Sequence, residues 1–364
     1  MEHSNISIKK LNLIEEPSIE LINFLQNIFP GINKRKWDWE YKKSPAGEGI
    51  VWIATVNKVI SVHYAFIILS FIYKNRVIKV AKAEGSLADI NILKKLPKKE
   101  RRLFIKTVDL AIEDLKKQKI DFIYGFPNKK AIKSQISSGY ELIKIPFNFS
   151  RAILNINPIL KEKINNNKIY YKIFIFIINL ILNITYKPYL KYRSKNSANI
   201  KILSKNNEEG IKKYFNKWST INSEIISMNR SWNFYKWRYE SNPYRKHIIS
   251  GFFNNNTLEG IIVCAIEEYR YYKRAHVMEI SYLNKNALSS LLRWSLDWAH
   301  KEKVCSIDIW SEKENKNNIL INNLLKNGFL TNKNNNKNMI IKIINNKLKI
   351  NDLKWSIHRY LERI

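Results

Sequence analysis

Two stretches of the sequence carry the same pattern of side chains able to grip a ring: Trp39-x-Tyr41-x-x-x-Pro45 and Trp237-x-Tyr239-x-x-x-Pro243. Indole and phenol faces so spaced serve either as stacking walls for a sugar or peptide, or as apolar mass that packs a helix onto a sheet, the commoner use. The other reactive side chains say less. Cys264 and Cys305 are the only cysteines, each in an apolar, strand-like stretch, which fits small core residues and neither a disulfide framework nor a thiolate metal site. His63, His276 and His300 are scattered without ligand spacing, so no metal is expected. The excess of 63 Lys plus Arg over 31 Asp plus Glu, a formal charge of +32, would attract phosphates, anionic lipid head groups or acidic glycans. Most of these cations are Lys set among Asn and Ile, as in Asn332 to Asn338 and Ile340 to Asn346, a mixture that an AT-rich coding sequence also yields. No nucleic-acid module is recognisable, and nucleic acid is not the expected partner.

These residues sit in a chain of 364 residues, long enough for two cores, with 45% hydrophobic residues and only 10 Gly and 9 Pro, the composition of a packed globular protein. In the first half, Ile6 to Leu11 alternates as a strand and Pro17 to Ile28 has helical periodicity closed by Pro30-Gly31. A helix with Trp39 and Tyr41 follows, stopped by Pro45 and Gly47. Then come three β-rich runs, Ile50–Thr55, Ser61–Ile72 and Arg76–Glu84, parted by turn residues. A helix over Arg102–Lys117, a strand over Ile120–Phe126, a short helix over Ala131–Ser137, the turn Gly139-Tyr140 and a strand over Ile145–Ile156 complete the unit.

The second half repeats the series. A strand at Ile200–Leu203 and helices over Glu208–Trp218 and Asn229–Glu240 precede strands at Ile248–Phe253, Gly260–Glu267 and Ala275–Tyr282. A helix over Ala287–His300, a strand at Val304–Trp310, a helix over Asn318–Lys326, the turn Gly328-Phe329 and a strand at Asn338–Ile344 follow. The expected domains are 1–157 and 197–364, joined by an apolar helical linker over 158–196. Within the linker, 169–186 is nearly all apolar but is interrupted by Lys172, Asn179 and Asn183. A buried connecting helix, a helix lying on a membrane surface and a membrane span are all open there. Met1–Lys10 has no apolar signal region, from which a cytoplasmic protein is expected.

A three-strand meander, a helix, a strand, a second helix and a Gly-aromatic turn resemble the GNAT superfamily of acyl-CoA N-acyltransferases. Tyr124-Gly125-Phe126-Pro127-Asn128 followed by Ser138-Gly139-Tyr140 carries the local likeness. Together with the early Trp-x-Tyr-x-x-x-Pro it is similar to a bacterial GNAT-like subgroup associated with surface polysaccharide. Two such units are also similar to the paired domains of Fem-type aminoacyltransferases, which use aminoacyl-tRNA. The resemblance implies an α/β fold of two tandem GNAT-like domains, each a mixed, mostly antiparallel sheet flanked by helices. It further implies acyl-CoA, acetyl-CoA in the simplest case, as co-substrate, an amine of a sugar, saccharide precursor or peptide as acceptor, and no metal. A catalytically degenerate pair that binds an anionic glycan, lipid or partner stays open beside it.

In such a domain, pyrophosphate rests on amides at a helix start, a carboxylate takes the amine proton and backbone N–H groups hold the oxyanion. The superfamily's glycine-rich phosphate loop falls on Pro97–Phe104, where both glycines are missing; Lys99, Arg101, Arg102 and Leu103, with Asn128, are the implied donor-binding residues, opposed by Glu100. In the second half the place holds Leu283–Leu288, with no such loop. The implied general base is Glu84, with Glu279 at the corresponding place. The usual Tyr proton donor is replaced by Gln135 and Leu324.

Overall fold

The structure, a computed structural model, describes residues 5–155, 173, 176, 177, 180, 199–312, 319–345, 348, 349, 354 and 355. Its chain divides into two compact units, Met1–Ile145 with Ser223–Asn229 and Lys337–Trp355, and Pro146–Asn222 with Arg230–Asn336 and Ser356–Ile364.

In the first unit β1 (Ile6–Lys10) pairs antiparallel with β2 (Ile50–Val56), β2 with β3 (Val59–Tyr73) and β3 with β4 (Arg76–Ala88). The two meander turns are made by Asn57-Lys58 and Lys74-Asn75, all at positive φ, the backbone that two-residue hairpins demand. Between β1 and β2 lie α1 (Ile19–Gln26), whose first turn is capped by Ser18, and α2 (Lys34–Tyr41), capped by Asn33. A short α3 (Ile90–Lys95) precedes α4 (Leu103–Lys117). The apolar stripe of α4, Val108, Ala111, Ile112 and Leu115, is buried with Tyr64, Phe66, Ile68, Ala81 and Ile123 of the sheet. Burial on this scale is worth about 1.5–3 kcal/mol per large side chain.

β5 (Phe122–Gly125) runs parallel to β4, α5 (Ile132–Ser137) follows, and β6 (Glu141–Ile153) leaves the unit after Ile145. Three pieces from later in the chain complete the unit. Ile340–Ile343 of β13 (Leu330–Ile343) pairs antiparallel with β5, while β8 (Ile225–Met228) pairs with β3 and with β14 (Lys354–Trp355).

The second unit has the same strand order. β7 (Ile200–Ile202) pairs with β9 (His247–Asn254), β9 with β10 (Thr257–Glu268) and β10 with β11 (Lys273–Tyr282), all antiparallel. β11 runs parallel to β12 (Ser306–Glu312), and β12 pairs antiparallel with the later part of β6. The helix Lys285–Lys301 buries Leu288, Leu291, Leu292, Leu296 and Ala299 with Ile262, Cys264, Val277, Ile307 and Ile309. Each unit is thus a mixed, mostly antiparallel sheet flanked by helices.

The repeated aromatics are core. Trp39 and Tyr41 are 2% and 1% exposed, and Trp237 and Tyr239 are equally buried, so they pack their helices and offer no stacking wall. Cys264 and Cys305 are free and buried. Most of 169–186 lies outside the described residues. Ile173, Phe176, Ile177 and Leu180 are helical and exposed at 54%, 66%, 48% and 45%. Among the described residues no helix is long and apolar enough to cross a membrane.

Candidate functional site

The parallel ladder between β4 and β5 is short. It holds Val80–Phe122, Ala81–Ile123 and Lys82–Tyr124, after which β4 continues beside β3 to Ala88 while β5 ends at Gly125. A side chain at Gly125 would press on the Ala83 carbonyl at 3.2 Å, so glycine keeps the strands close up to the point where they part. The result is a splay between two strand ends.

Beyond the last rung β4 is bulged. Ala65 faces Glu84 but His63 faces Leu87, so one residue of β3 opposes Gly85 and Ser86. Gly85 sits at φ 65, the left-handed region that glycine enters without strain. Glu84 precedes the bulge with its side chain 33% exposed, and its carboxylate is paired with the buried ammonium of Lys82. Two side chains hold the bulge from the other side. The Tyr41 hydroxyl donates to the Glu84 carbonyl at 3.4 Å, and His63 Nδ1 lies 2.7 Å from the Gly85 carbonyl. A carbonyl oxygen only accepts, so Nδ1 carries the proton. Burial pulls the His63 pKa down to about 4, against the opposing pull of the Gly85 carbonyl, and the ring is neutral near pH 7. His63 Nε2 is buried without a hydrogen-bond partner among the described residues.

The implied donor-binding residues are distributed unevenly. Lys99, Arg101 and Arg102 are exposed in the turn that leads into α4. Arg101 Nε donates to the Leu96 carbonyl at 2.9 Å, and Arg102, at the cap of α4, makes no side-chain cap bond. Leu103 is 1% exposed and packs with Leu93 and Leu96 under β2, so it anchors the helix. Its N–H donates to the Glu100 carbonyl at 3.0 Å. Asn128 stands on the β5 side of the splay, where its side-chain oxygen accepts from the Ala131 N–H and closes the turn into α5. Gln135 is buried and accepts from the Tyr64 hydroxyl, which also bonds to the Tyr140 hydroxyl at 2.8 Å. Leu324 is a core residue of the second unit.

The second unit has the corresponding splay beyond Val277–Ile309 and a bulge of its own, where Cys264 faces Val277 and Val263 faces Glu279, leaving Met278 extra; here the carboxylate follows the bulge, whereas Glu84 precedes its bulge. Its carboxylate is sealed. Glu279 is 0% exposed, lies 2.8 Å from Arg230 Nε, and accepts from the Tyr235 and Tyr239 hydroxyls at 2.8 and 2.9 Å. Burial and the neighbouring Glu279 charge push the Tyr235 phenol well up, so it stays a donor. The Arg230 guanidinium lies over the rings of Phe215 and Trp218, 5.1 and 4.9 Å from their centroids. His276 is buried between Glu267 and Asp308, and His300 is exposed on a helix end.

Lys82, Arg230 and Tyr235 are site residues that sequence reasoning did not single out, and His63 was weighed there only as a metal ligand. For Tyr235 a signal exists, since spacing of four from Tyr239 puts both phenols on one helical face. Lys82 and His63 carry none, because their roles depend on where one strand bulges.

No protein-family model matches the sequence, and no curated protein matches it. Solved structures do. A conserved protein of Enterococcus faecalis described as a probable N-acyltransferase aligns over 94% of this chain and 73% of its own, with TM-score 0.60 and 11% identity. A GCN5-related N-acetyltransferase from Anabaena variabilis aligns over 93% and 73%, with TM-score 0.57 and 10% identity. The N-myristoyltransferase of Saccharomyces cerevisiae, solved with bound myristoyl-CoA, aligns over 92% and 82%, with TM-score 0.56 and 6% identity. At these identities the likeness concerns the fold, which is that of the GCN5-related N-acetyltransferases.

Proposed function

We propose that the chain is an N-acyltransferase that moves an acyl group, acetyl in the simplest case, from acyl-CoA to an amine of a sugar, a saccharide precursor or a peptide. The observation that carries this reading is the splay beyond Lys82 and Tyr124, with the half-buried carboxylate of Glu84 at its edge and the Gly85 bulge beside it. The fold supports it, since its likenesses include two proteins described as acyl- or acetyltransferases and one that holds an acyl-CoA.

The start of α4 fits a diphosphate in part. Its cap carries no side-chain bond and is ringed by the exposed Lys99, Arg101 and Arg102, which would meet phosphate oxygens where glycines would otherwise admit the backbone. In the transfer, the amine nitrogen bonds to the thioester carbon, the C–S bond breaks, the amine proton passes to Glu84 and the thiolate takes a proton from water. Gln135 and Leu324, both buried, leave no acid at the usual donor position. The chemistry belongs to the first unit, because the second unit's Glu279 is enclosed by Arg230 and two phenols.

In this reading the chain is a tandem pair of GNAT-like domains, centred on 1–157 and 197–364 and each completed by strands from the other stretch, of a cytoplasmic protein of the type associated with surface polysaccharide. The exposed stripe Ile173, Phe176, Ile177 and Leu180 makes peripheral contact with a membrane, aided by the positive charge of the chain. One observation favours a second reading, a degenerate pair that binds an anionic glycan, lipid or partner: the phosphate-loop turn lacks glycine and the Leu103 N–H is already used.

The test is release of CoA from acetyl-CoA by the purified chain with glucosamine or glycinamide as amine. Amine-dependent release that Glu84→Gln abolishes supports the transferase. Acetyl-CoA left intact, with retention on acidic glycan, favours the degenerate pair. Saturable tRNA binding that falls steeply with salt favours a Fem-type transferase instead.

A further inference from the structure

The splay of the second unit is sealed, yet the same strand β11 carries another group of polar side chains nearer its start. His276 is 0% exposed, with Nδ1 2.7 Å from Asp308 Oδ1 and Nε2 2.8 Å from Glu267 Oε2. An ionised carboxylate only accepts, so the ring donates to Glu267. The Tyr269 hydroxyl donates to the same Oε2 at 3.1 Å, and burial together with the Glu267 charge raises this phenol, which keeps it a donor. Behind them Asp308, 1% exposed, also meets Arg151 at 3.5 Å. The Glu267 carboxylate is thus held by two donors while its side chain stays 28% exposed.

That side chain lines a cavity of about 840 Å³ bounded by the start of β9, the end of β10, the start of β11 and the end of the helix Lys285–Lys301. Lys273 and Glu268, both exposed, pair with each other at 3.0 Å. In the described lining only Arg245 and Glu267 are both charged and half-buried. His247 beside them is neutral, its pKa brought down to about 3 by burial and by the charges of Arg245 and Arg238. Apolar wall comes from the rings of Tyr244 and Trp298 and from Ile248.

The first unit has a cavity at the corresponding place, of about 550 Å³, reached by the C-terminal cap Gln118 of α4 as this one is by the cap Glu302. Its described lining has no aromatic ring and no arginine. The charge pair and the rings are features of the second unit. One positive and one negative charge, set among apolar and aromatic walls, match a ligand whose own charges sum to zero but stand apart. A net cation would be opposed by Arg245 and a net anion by Glu267, whereas each end of a zwitterion leaves water for an opposite charge.

We propose that this cavity binds a zwitterion with an aromatic side chain, an amino acid or a short peptide, its ammonium on Glu267, its carboxylate on Arg245 and its ring against Tyr244 and Trp298. His276 and Tyr269 position the Glu267 carboxylate. The inference does not depend on the acyl-CoA reading, which concerns the first unit.

The experiment titrates the full chain, by calorimetry, with phenylalanine, glycyl-phenylalanine, phenethylamine, which has no carboxylate, and phenylpropionate, which has no ammonium. The expected result is saturable binding of phenylalanine, or of glycyl-phenylalanine alone if the occupant is a peptide. Either singly charged probe should bind at least about tenfold more weakly, the loss of one charge-assisted contact. Glu267→Gln and Arg245→Met are each expected to weaken the zwitterion at least about tenfold and to leave acetyl-CoA binding as in wild type. No binding of either zwitterion at about 10 mM, or a singly charged probe that binds as tightly, overturns the proposal. So does unchanged zwitterion affinity in either folded variant. If Glu267→Gln does not fold, the comparison of probes on the wild-type chain decides.

Discussion

Glu84 and Glu279 stand at the same step of two sheets, each two residues past the last parallel rung, Lys82–Tyr124 in one and Val277–Ile309 in the other. Their surroundings divide them. One is 33% exposed beside a lysine, the other is fully enclosed by Arg230, Tyr235 and Tyr239.

One substitution acts differently at the two places. Glu84→Gln is expected to lower amine-dependent CoA release by about 10²–10⁴-fold, the usual weight of a general base, and to lower the melting temperature as well, because the buried Lys82 ammonium loses this carboxylate. Glu279→Gln leaves the Arg230 charge buried without its counter-ion and is expected to cost about 3–5 kcal/mol of stability. Transfer rates and chemical denaturation of the two variants check this.

Acidification should weaken the first unit through His63. Its folded pKa is about 4 and the ordinary value is about 6.5, so the unfolded chain binds more protons between these values and stability rises with pH across that window. From pH 7 to pH 5 the ring alone is expected to remove about 2 kcal/mol. His63→Asn, which cannot titrate, should show a flatter dependence in urea unfolding at the two pH values. An equal slope in both proteins would contradict the assignment.

The exposed stripe at 173, 176, 177 and 180 predicts binding to vesicles containing phosphatidylserine and weak binding to phosphatidylcholine alone. Exchange of Ile173, Phe176, Ile177 and Leu180 for Ser is expected to lower partitioning at least about tenfold in co-sedimentation, since each apolar side chain contributes of the order of a kcal/mol at an interface.

Residues 1–157 expressed alone should not form a stable unit. They lack Ser223–Asn229, whose β8 pairs with β3, and Lys337–Trp355, whose β13 segment pairs with β5. The expected product exposes the β5 edge and binds a hydrophobic dye, and adding 197–364 in trans should restore cooperative melting.

Much of the architecture was legible because its signals are local. The meander between Ile50 and Ala88 follows from β-branched runs parted by Asn57 and by Lys74-Asn75, which adopt the positive φ that such turns need. The stripe Val108, Ala111, Ile112 and Leu115 gives α4 at helical spacing. β8 and β14 were not foreseen, because strands of four and two residues carry too little pattern and owe their pairing to partners distant in sequence. The same holds at the site. Glu84 could be placed from the end of a strand, but the bulge that separates it from Leu87 depends on register, and His63 is defined only by that bulge. Leu103 shows the converse: a residue placed at a phosphate site by its position turns out to anchor its helix in the core.

The central claim is that the first unit binds acyl-CoA in the β4–β5 splay. Isothermal calorimetry of acetyl-CoA against the full chain tests it most directly. The account predicts saturable binding that weakens at least about fivefold when Arg101 and Arg102 are both changed to Ala, as expected for lost charge-assisted phosphate contacts. No heat of binding at millimolar acetyl-CoA would contradict it.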